Sequence, residues 1–305
     1  MPPVGEAASA VATQDALARA RSRASLVPDL LVEARRVVNT VIAGWHGRRR
    51  RGIGENFWQF RPYVEGESVS RIDWRRSARD DHTYIRDREW EAAHTVWLWS
   101  DPSPSMLYKS RAALISKESR ALVLILALAE LLSRSGERIA WPGLTDAFTA
   151  RNGAERIAGR LALAPDLPVR PDLTPVRRFS DVVLASDFLD PIDEVLARLD
   201  PLAQRGVRAH LIEVVDPAEE TFPYAGRTEF RDPETGERLV AGRAETLQAE
   251  YRNVYHARRD QLAAWCKRRG WSYTISRTDR PASDALVKVH LAMSEPTEIG
   301  AGALA

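Results

Sequence analysis

The sequence predicts an α/β fold, a mostly parallel sheet with helices on both faces, preceded by an N-terminal helix and a small β-rich appendage. Three observations predict it. From His94 onward, short β-branched runs alternate with long helical stretches, the pattern of a layered α/β domain. Ala121 to Ala129 is a continuous apolar run inside a longer helical pattern, as expected of a buried helix. Asp181-Val182-Val183-Leu184-Ala185 has the unbroken apolar character of a strand covered on both faces.

Taken in order, residues 1 to 28 are rich in Ala, Arg and Ser and read as a flexible or weakly helical tail. After Pro28, Leu30, Leu31, Ala34, Val37, Val38, Val41 and Ile42 recur at helical spacing until about Gly44. The run Arg48-Arg49-Arg50-Arg51 between glycines reads as an exposed loop. A segment dense in Trp, Arg and Asp follows and reads as short strands. The helix and this segment together make a first unit, residues 29–92.

The main domain is expected over 93–295, with a short tail over 296–305. It opens on the strand Thr95 to Trp99, and a helix follows from about Arg111 to Ser133. Strands at Arg138 to Trp141 and Ala147 to Thr149 flank the turn Pro142-Gly143, and Ala154 to Leu163 is a helix. Then come the strand Asp181 to Ala185, a helix from Pro191 to Arg205 and the strand Val207 to Val215. A polar excursion, residues 220–241, holds the turn Asp232-Pro233-Glu234-Thr235-Gly236 and reads as an inserted hairpin. A helix from Ala244 to Arg269, a strand Trp271 to Ile275 and a helix Ala282 to Met293 complete the series.

Composition excludes several classes. The 44 Lys and Arg against 42 Asp and Glu leave a net charge of +2, which gives no general pull on nucleic acid. One cysteine, Cys266, permits neither an internal disulfide nor a Cys-rich zinc site. The N-terminus carries Glu6 and Asp15 and no secretory pattern, and Ala121 to Ala129 is far short of the roughly 20 residues that cross a bilayer. A cytoplasmic protein with no membrane span is expected. No phosphate-binding loop, no His-Glu-x-x-His and no dinucleotide fingerprint occurs.

The strongest local signal is Asp101-Pro102-Ser103-Pro104-Ser105, where an apolar strand gives way to a helix. Mg²⁺ and Mn²⁺ prefer oxygen ligands and near-octahedral geometry. A carboxylate and two hydroxyls spaced two residues apart can converge on such a cation at the carboxyl end of a strand, where open α/β sheets hold ligands. The later strand supplies a second acid, Asp187, at the equivalent end. The competing reading is a turn and helix N-cap, which explains neither the triple spacing nor Asp187.

Asp-x-Ser-x-Ser after an apolar strand resembles the metal-ion-dependent adhesion site of von Willebrand A domains, and Ser186-Asp187 is similar to that family's later strand-end aspartate. Upstream, Gly52-Ile53-Gly54-Glu55, Arg61-Pro62-Tyr63, Gly66-Glu67, Arg71-Ile72-Asp73-Trp74 and Ser77-Ala78-Arg79, with Arg86 and Glu89, resemble the bacterial family known as domain of unknown function 58 (DUF58). The resemblance implies a von Willebrand A-like, Rossmann-like domain. It also implies work beside a MoxR-type AAA+ ATPase or its client protein, in protein maturation or cofactor insertion. Many such relatives carry two membrane helices, and this sequence shows none. The middle-loop threonine of von Willebrand A sites has only Thr145, Thr149 and Thr174 as candidates, none in the familiar Gly-rich setting.

The expected function is therefore a non-enzymatic adaptor. Divalent metal at Asp101, Ser103, Ser105 and Asp187 receives an acidic side chain of a partner, and Arg48 to Arg51, Arg71 and Asp73 are candidates for a second partner-binding surface. The alternatives are a Mg²⁺-dependent phosphate hydrolase and a metal-free scaffold. A weaker one is salt-sensitive nucleic-acid binding through Arg48 to Arg51. Trp97 and Trp99 read as core, and Cys266 as a small buried hydrophobe.

Overall fold

The computed structural model describes residues 4–45, 59–64, 68–79, 82–87, 94–164 and 167–294. Its early elements are α1 (Val4–Trp45), β1 (Gln59–Pro62), α2 (Trp74–Ser77) and β2 (Tyr84–Asp87). The main series runs β3 (Thr95–Ser100), α3 (Lys117–Arg134), β4 (Arg138–Trp141), β5 (Thr145–Phe148), α4 (Gly153–Leu163), β6 (Asp181–Ser186) and α5 (Ile192–Gln204). It continues with β7 (Arg208–Val215), α6 (Pro217–Thr221), β8 (Thr228–Arg231), β9 (Arg238–Ala241), α7 (Gln248–Arg268), β10 (Ser272–Arg277) and α8 (Ala282–Ser294). The chain divides into two compact units, Met1–Ala43 with His94–Ala305, and Gly44–Ala93.

In the large unit six strands form one sheet in the order β10-β7-β6-β3-β4-β5. Every pairing is parallel except β4 with β5, which closes on itself through the Pro142-Gly143 turn. The expected Rossmann-like α/β layering is the one observed. α3 packs beside α4 and α8, and α5 beside α7, with β7 touched by helices of both groups. The centre of the core is β3 and β6, whose Val96, Leu98, Val182 and Val183 are fully buried, with α3 laid over them. Trp97 and Trp99 are buried in β3, as their strand position requires.

Two helix starts differ from expectation. α1 does not begin after Pro28 but passes through it from Val4, so residues 4–28 are helical rather than a tail. A proline inside a helix costs about 3 kcal/mol through its missing N–H and its ring clash. Burial of Val27 and Leu30 on either side contributes about 1.5–3 kcal/mol each, enough to offset it. The Arg23 guanidinium also donates to Glu118 at 2.8 Å, both side chains being buried. These contacts attach α1 to the rest of the large unit, within which it is grouped. α3 starts at Lys117 rather than near Arg111, because the Ser116 hydroxyl accepts from the N–H of Ser119 and caps the helix there.

In the small unit β1 and β2 pair antiparallel from Gln59 opposite Asp87 to Pro62 opposite Tyr84. Asp73 caps α2, its carboxylate accepting from the N–H of Arg76 at 2.9 Å, and Ile72 and Ile85 are buried together at an isolated bridge. Arg48 to Arg51 and the side chain of Arg71 lie outside the described residues. Among the described residues no helix is long and apolar enough to cross a membrane.

The amino ends of β3, β4 and β6 are clasped by one imidazole. His94 lies 3.4 Å from Asp181 and 3.7 Å from Glu137. Asp181 and Glu137 push its pKa up to about 9, against the opposing effect of burial. A histidine raised above its unfolded value contributes stability that is fully present below pH 6.5 and is lost as pH rises through about 9. Because His94 is partly exposed, the contribution is at most about 1 kcal/mol. Urea midpoints measured from pH 6 to pH 10 should fall more steeply for the native chain than for His94→Gln, and parallel curves would remove His94 from the clasp.

Candidate functional site

The sheet changes direction between β3 and β6: the chain runs outward from β3 to β4 and β5, then returns to the other side of β3 to build β6, β7 and β10. In open α/β sheets the carboxyl ends of strands at such a reversal are where ligands bind. Asp101 follows β3 at this point and Asp187 follows β6. The N–H of Asp101 donates to the carbonyl of Ala185 at 2.9 Å, carrying the ladder one residue past β3 and holding the two ends side by side.

The four residues expected to form one site are brought together. Asp101 Oδ1 accepts from the N–H of Ser103 at 2.8 Å, and Asp101 Oδ2 from the Ser186 hydroxyl at 2.6 Å. The Ser103 and Ser105 hydroxyls lie 3.1 Å apart, and Ser105 donates to Asp187 Oδ2 at 2.8 Å. Ser103 precedes a short 3-10 turn, Pro104–Leu107, and its side chain caps nothing. That disposes of the helix-cap alternative for Ser103. Asp101, Ser103 and Asp187 are all buried.

Burial raises Asp101 to about pH 6, the neighbouring Asp187 carboxylate adds to the rise, and the donors Ser186 and Ser103 oppose it. The strand-end turn is also strained. Phe188 takes a left-handed backbone with φ of 48°, rare for a bulky side chain. There the N–H of Phe188 meets the Ser186 hydroxyl at 3.1 Å and the N–H of Leu189 meets Asp187 Oδ1 at 3.2 Å. From α7, Arg258 donates to the carbonyl of Asp187 at 3.4 Å, to that of Phe188, and to Glu213 at 2.9 Å.

Several residues at the site escaped the sequence reading. Lys117, the first residue of α3, has no exposed surface, and its ammonium donates to Asp187 Oδ2 at 2.8 Å and to Glu219. Burial works against its charge, but the Asp187 and Glu219 carboxylates outweigh burial and hold its pKa above the ordinary value. Glu219 is fixed by a capping box: Asp216 accepts from Ala218 at 2.8 Å and Glu219 accepts from the N–H of Asp216 at 3.1 Å. Asp216 also receives the N–H of Ser110 at 2.8 Å. Glu234, at the tip of the β8–β9 hairpin, accepts from the N–H of Ser105 at 3.1 Å. The legible signal was Asp216-Pro217-Ala218-Glu219, an acid pair in capping-box spacing at the end of the next buried strand.

Asp101, Asp187 and Glu219 set three carboxylates against the single Lys117 ammonium. The donor set that faces together is all oxygen, two carboxylates and two hydroxyls, the set that Mg²⁺ or Mn²⁺ takes. Asp101, raised chiefly by burial and with Asp187 beside it, is the kind of carboxylate a divalent cation relieves, so the residues fit an ion of that class. Among the described residues no group of three or more His, Cys, Asp or Glu side chains forms a metal cage. An ion here would accordingly be held by these few ligands and water. Two of the threonine candidates are engaged elsewhere: Thr145 accepts from the N–H of Trp141 at 3.0 Å and Thr174 donates to Asp172 at 2.6 Å.

A family model described as "Protein of unknown function DUF58" matches residues 59–261. The chain belongs to the DUF58 family. Uncharacterized proteins of Mycobacterium tuberculosis and Mycobacterium bovis are 28% identical to it over 278 residues, covering 84% of this chain and 85% of theirs. Among solved structures, an aerotolerance-related membrane protein from Bacteroides fragilis aligns with 16% identity and a TM-score of 0.36, covering 66% of this chain and 98% of that one. The conserved hypothetical protein BatB from Bacteroides thetaiotaomicron aligns with 18% identity and a TM-score of 0.37, at the same coverages. For this DUF58 chain, Cys266 is buried and its thiol is pushed up to about 12 by that burial, so it packs rather than reacts.

Lys117→Met would leave Asp187 and Glu219 buried without the cation between them. Removing one partner of a buried pair costs about 3–5 kcal/mol. Urea unfolding should report a loss of that order, and a loss below about 1 kcal/mol would show that Lys117 does not hold the two strand ends together.

Proposed function

We propose that this DUF58 chain is a non-enzymatic adaptor of the cytoplasm that receives an acidic side chain of a partner protein at the carboxyl ends of β3 and β6, in the manner of a von Willebrand A-like adhesion site. The observation that carries the reading is the hydrogen-bonded join between the two strand ends, in which Ser105 donates to Asp187 while Asp101 is held by Ser103 and Ser186. The join sits at the one point where the sheet reverses. Asp101, Ser103, Ser105 and Asp187 would hold Mg²⁺ or Mn²⁺. A divalent ion bound there supplies the positive charge to which a partner carboxylate binds.

The chain's own residues prepare that place. Asp101 and Asp187 are fixed on both oxygens or by paired donors, and Arg258 pins the Asp187 turn, so little order remains to be imposed on binding. Phosphate hydrolysis is the weaker reading, because an ion held there would use Asp101 and Asp187 as ligands and leave neither as an attacking carboxylate. A metal-free variant of the adaptor reading rests on Lys117, a cation already bonded to Asp187. The partner proposed is a MoxR-type AAA+ ATPase or its client, in protein maturation or cofactor insertion.

The test is capture of a purified MoxR-type ATPase by the immobilised chain in Mg²⁺ and in EDTA, for the native chain and Asp101→Ala. Capture should be lost in EDTA and with the substitution. Capture that resists EDTA yet fails with Asp101→Ala selects the metal-free form. Indifference to both removes this face as the binding surface.

A further inference from the structure

The β8–β9 hairpin is a largely exposed arm that meets the rest of the large unit at a few points. Its strands pair from Thr228 opposite Ala241 to Arg231 opposite Arg238, and on β9 Leu239 and Val240 are largely exposed. The hairpin is anchored at its base. Phe230 stacks on Phe222 at 5.5 Å and meets the edge of Tyr224 at 5.2 Å, and the Tyr224 hydroxyl is 2.6 Å from that of Tyr108. Gly226 donates to Glu245 at 2.8 Å.

The tip is shaped by its own residues. Asp232 accepts from the N–H of Glu234 at 2.7 Å and from the Thr235 hydroxyl at 3.0 Å, and its own N–H reaches the carbonyl of Glu237 at 2.9 Å. Gly236 takes the left-handed backbone, φ 76°, that closes the turn. None of these bonds uses the Glu234 carboxylate. It reaches instead across 129 positions of sequence to the N–H of Ser105, in the middle of the candidate site.

We propose that Glu234 is an internal occupant of the site: the hairpin delivers the chain's own carboxylate to Ser105, beside the place where a partner's acidic side chain is received, and must release before that partner binds. The inference rests on the adaptor reading above. Three features make the contact a reversible occupant and not a structural tie. The turn keeps its shape without it, the base keeps its aromatic anchor without it, and the contact is a single solvent-exposed hydrogen bond that another carboxylate can replace in kind. The ligand class follows from the occupant. A carboxylate carried on an extended or turning segment fits.

The experiment is fluorescence anisotropy of a fluorescein-labelled hexaglutamate peptide titrated with the full chain in Mg²⁺, for the native protein, Glu234→Ala, Asp101→Ala and the double variant. Glu234 lies at an exposed turn, so its replacement should leave the fold intact, as far-ultraviolet circular dichroism would verify. The expected result is binding about ten-fold tighter for Glu234→Ala than for the native chain, the size of one charge-assisted hydrogen bond, with the gain abolished by adding Asp101→Ala. Equal binding by the native chain and Glu234→Ala, with loss in Asp101→Ala, overturns the internal occupant and leaves the adaptor reading standing. Binding that none of the substitutions alters, or no binding by any of the four proteins, overturns both.

Discussion

The Lys117 ammonium, buried between Asp187 and Glu219, is the interaction on which the geometry of the sheet's carboxyl edge depends. It joins the start of α3 to the turn after β6 and to the capping box after β7. Without a cation at that position three carboxylates would be crowded into a buried crevice. Like-charge repulsion would then push them apart. With it, Asp187 is free to accept from Ser105, and the Asp101-Ser103-Ser105 turn is drawn onto the second strand. One ammonium thus sets the charge balance of the site, while the β3–β6 ladder sets its register.

The rest of the edge is organised to the same end. Phe188 adopts a costly left-handed backbone that brings its own N–H and that of Leu189 onto the strand-end side chains. Arg258 fixes the carbonyls of that turn while its other amine goes to Glu213, itself buried and shared with Arg259 and Tyr273. Strain held by so many donors is the mark of a pre-organised surface. A polar network of this size is tolerated under a sheet because each member has partners. Against this fixed background the Glu234 contact stands apart, exposed and made by one bond.

Strand and helix types were legible wherever periodicity was strong. β3, β6 and β7 are apolar runs with β-branched residues, and α3 carries an apolar run too continuous for anything but a buried helix. Residues 111–116 have helix-compatible types, so the sequence does not show that α3 begins only at the Ser116 cap. A proline's local penalty at Pro28 is visible in sequence, whereas the buried Val27 and Leu30 and the Arg23–Glu118 pair that offset it are not. Local rules described the residue and long-range packing decided the outcome.

By itself the sequence determined the layered α/β class and the strand-end positions of Asp101, Ser103, Ser105 and Asp187, because an apolar strand and the turn after it are local properties. Tertiary structure alone decided that Lys117 is the cation between Asp187 and Glu219, and that Glu234 reaches Ser105 from a hairpin 129 positions away. Those pairings depend on the order of strands in the sheet. That order puts the ends of β3, β6 and β7 next to one another and brings the β8–β9 arm over them, and no spacing in the chain records it.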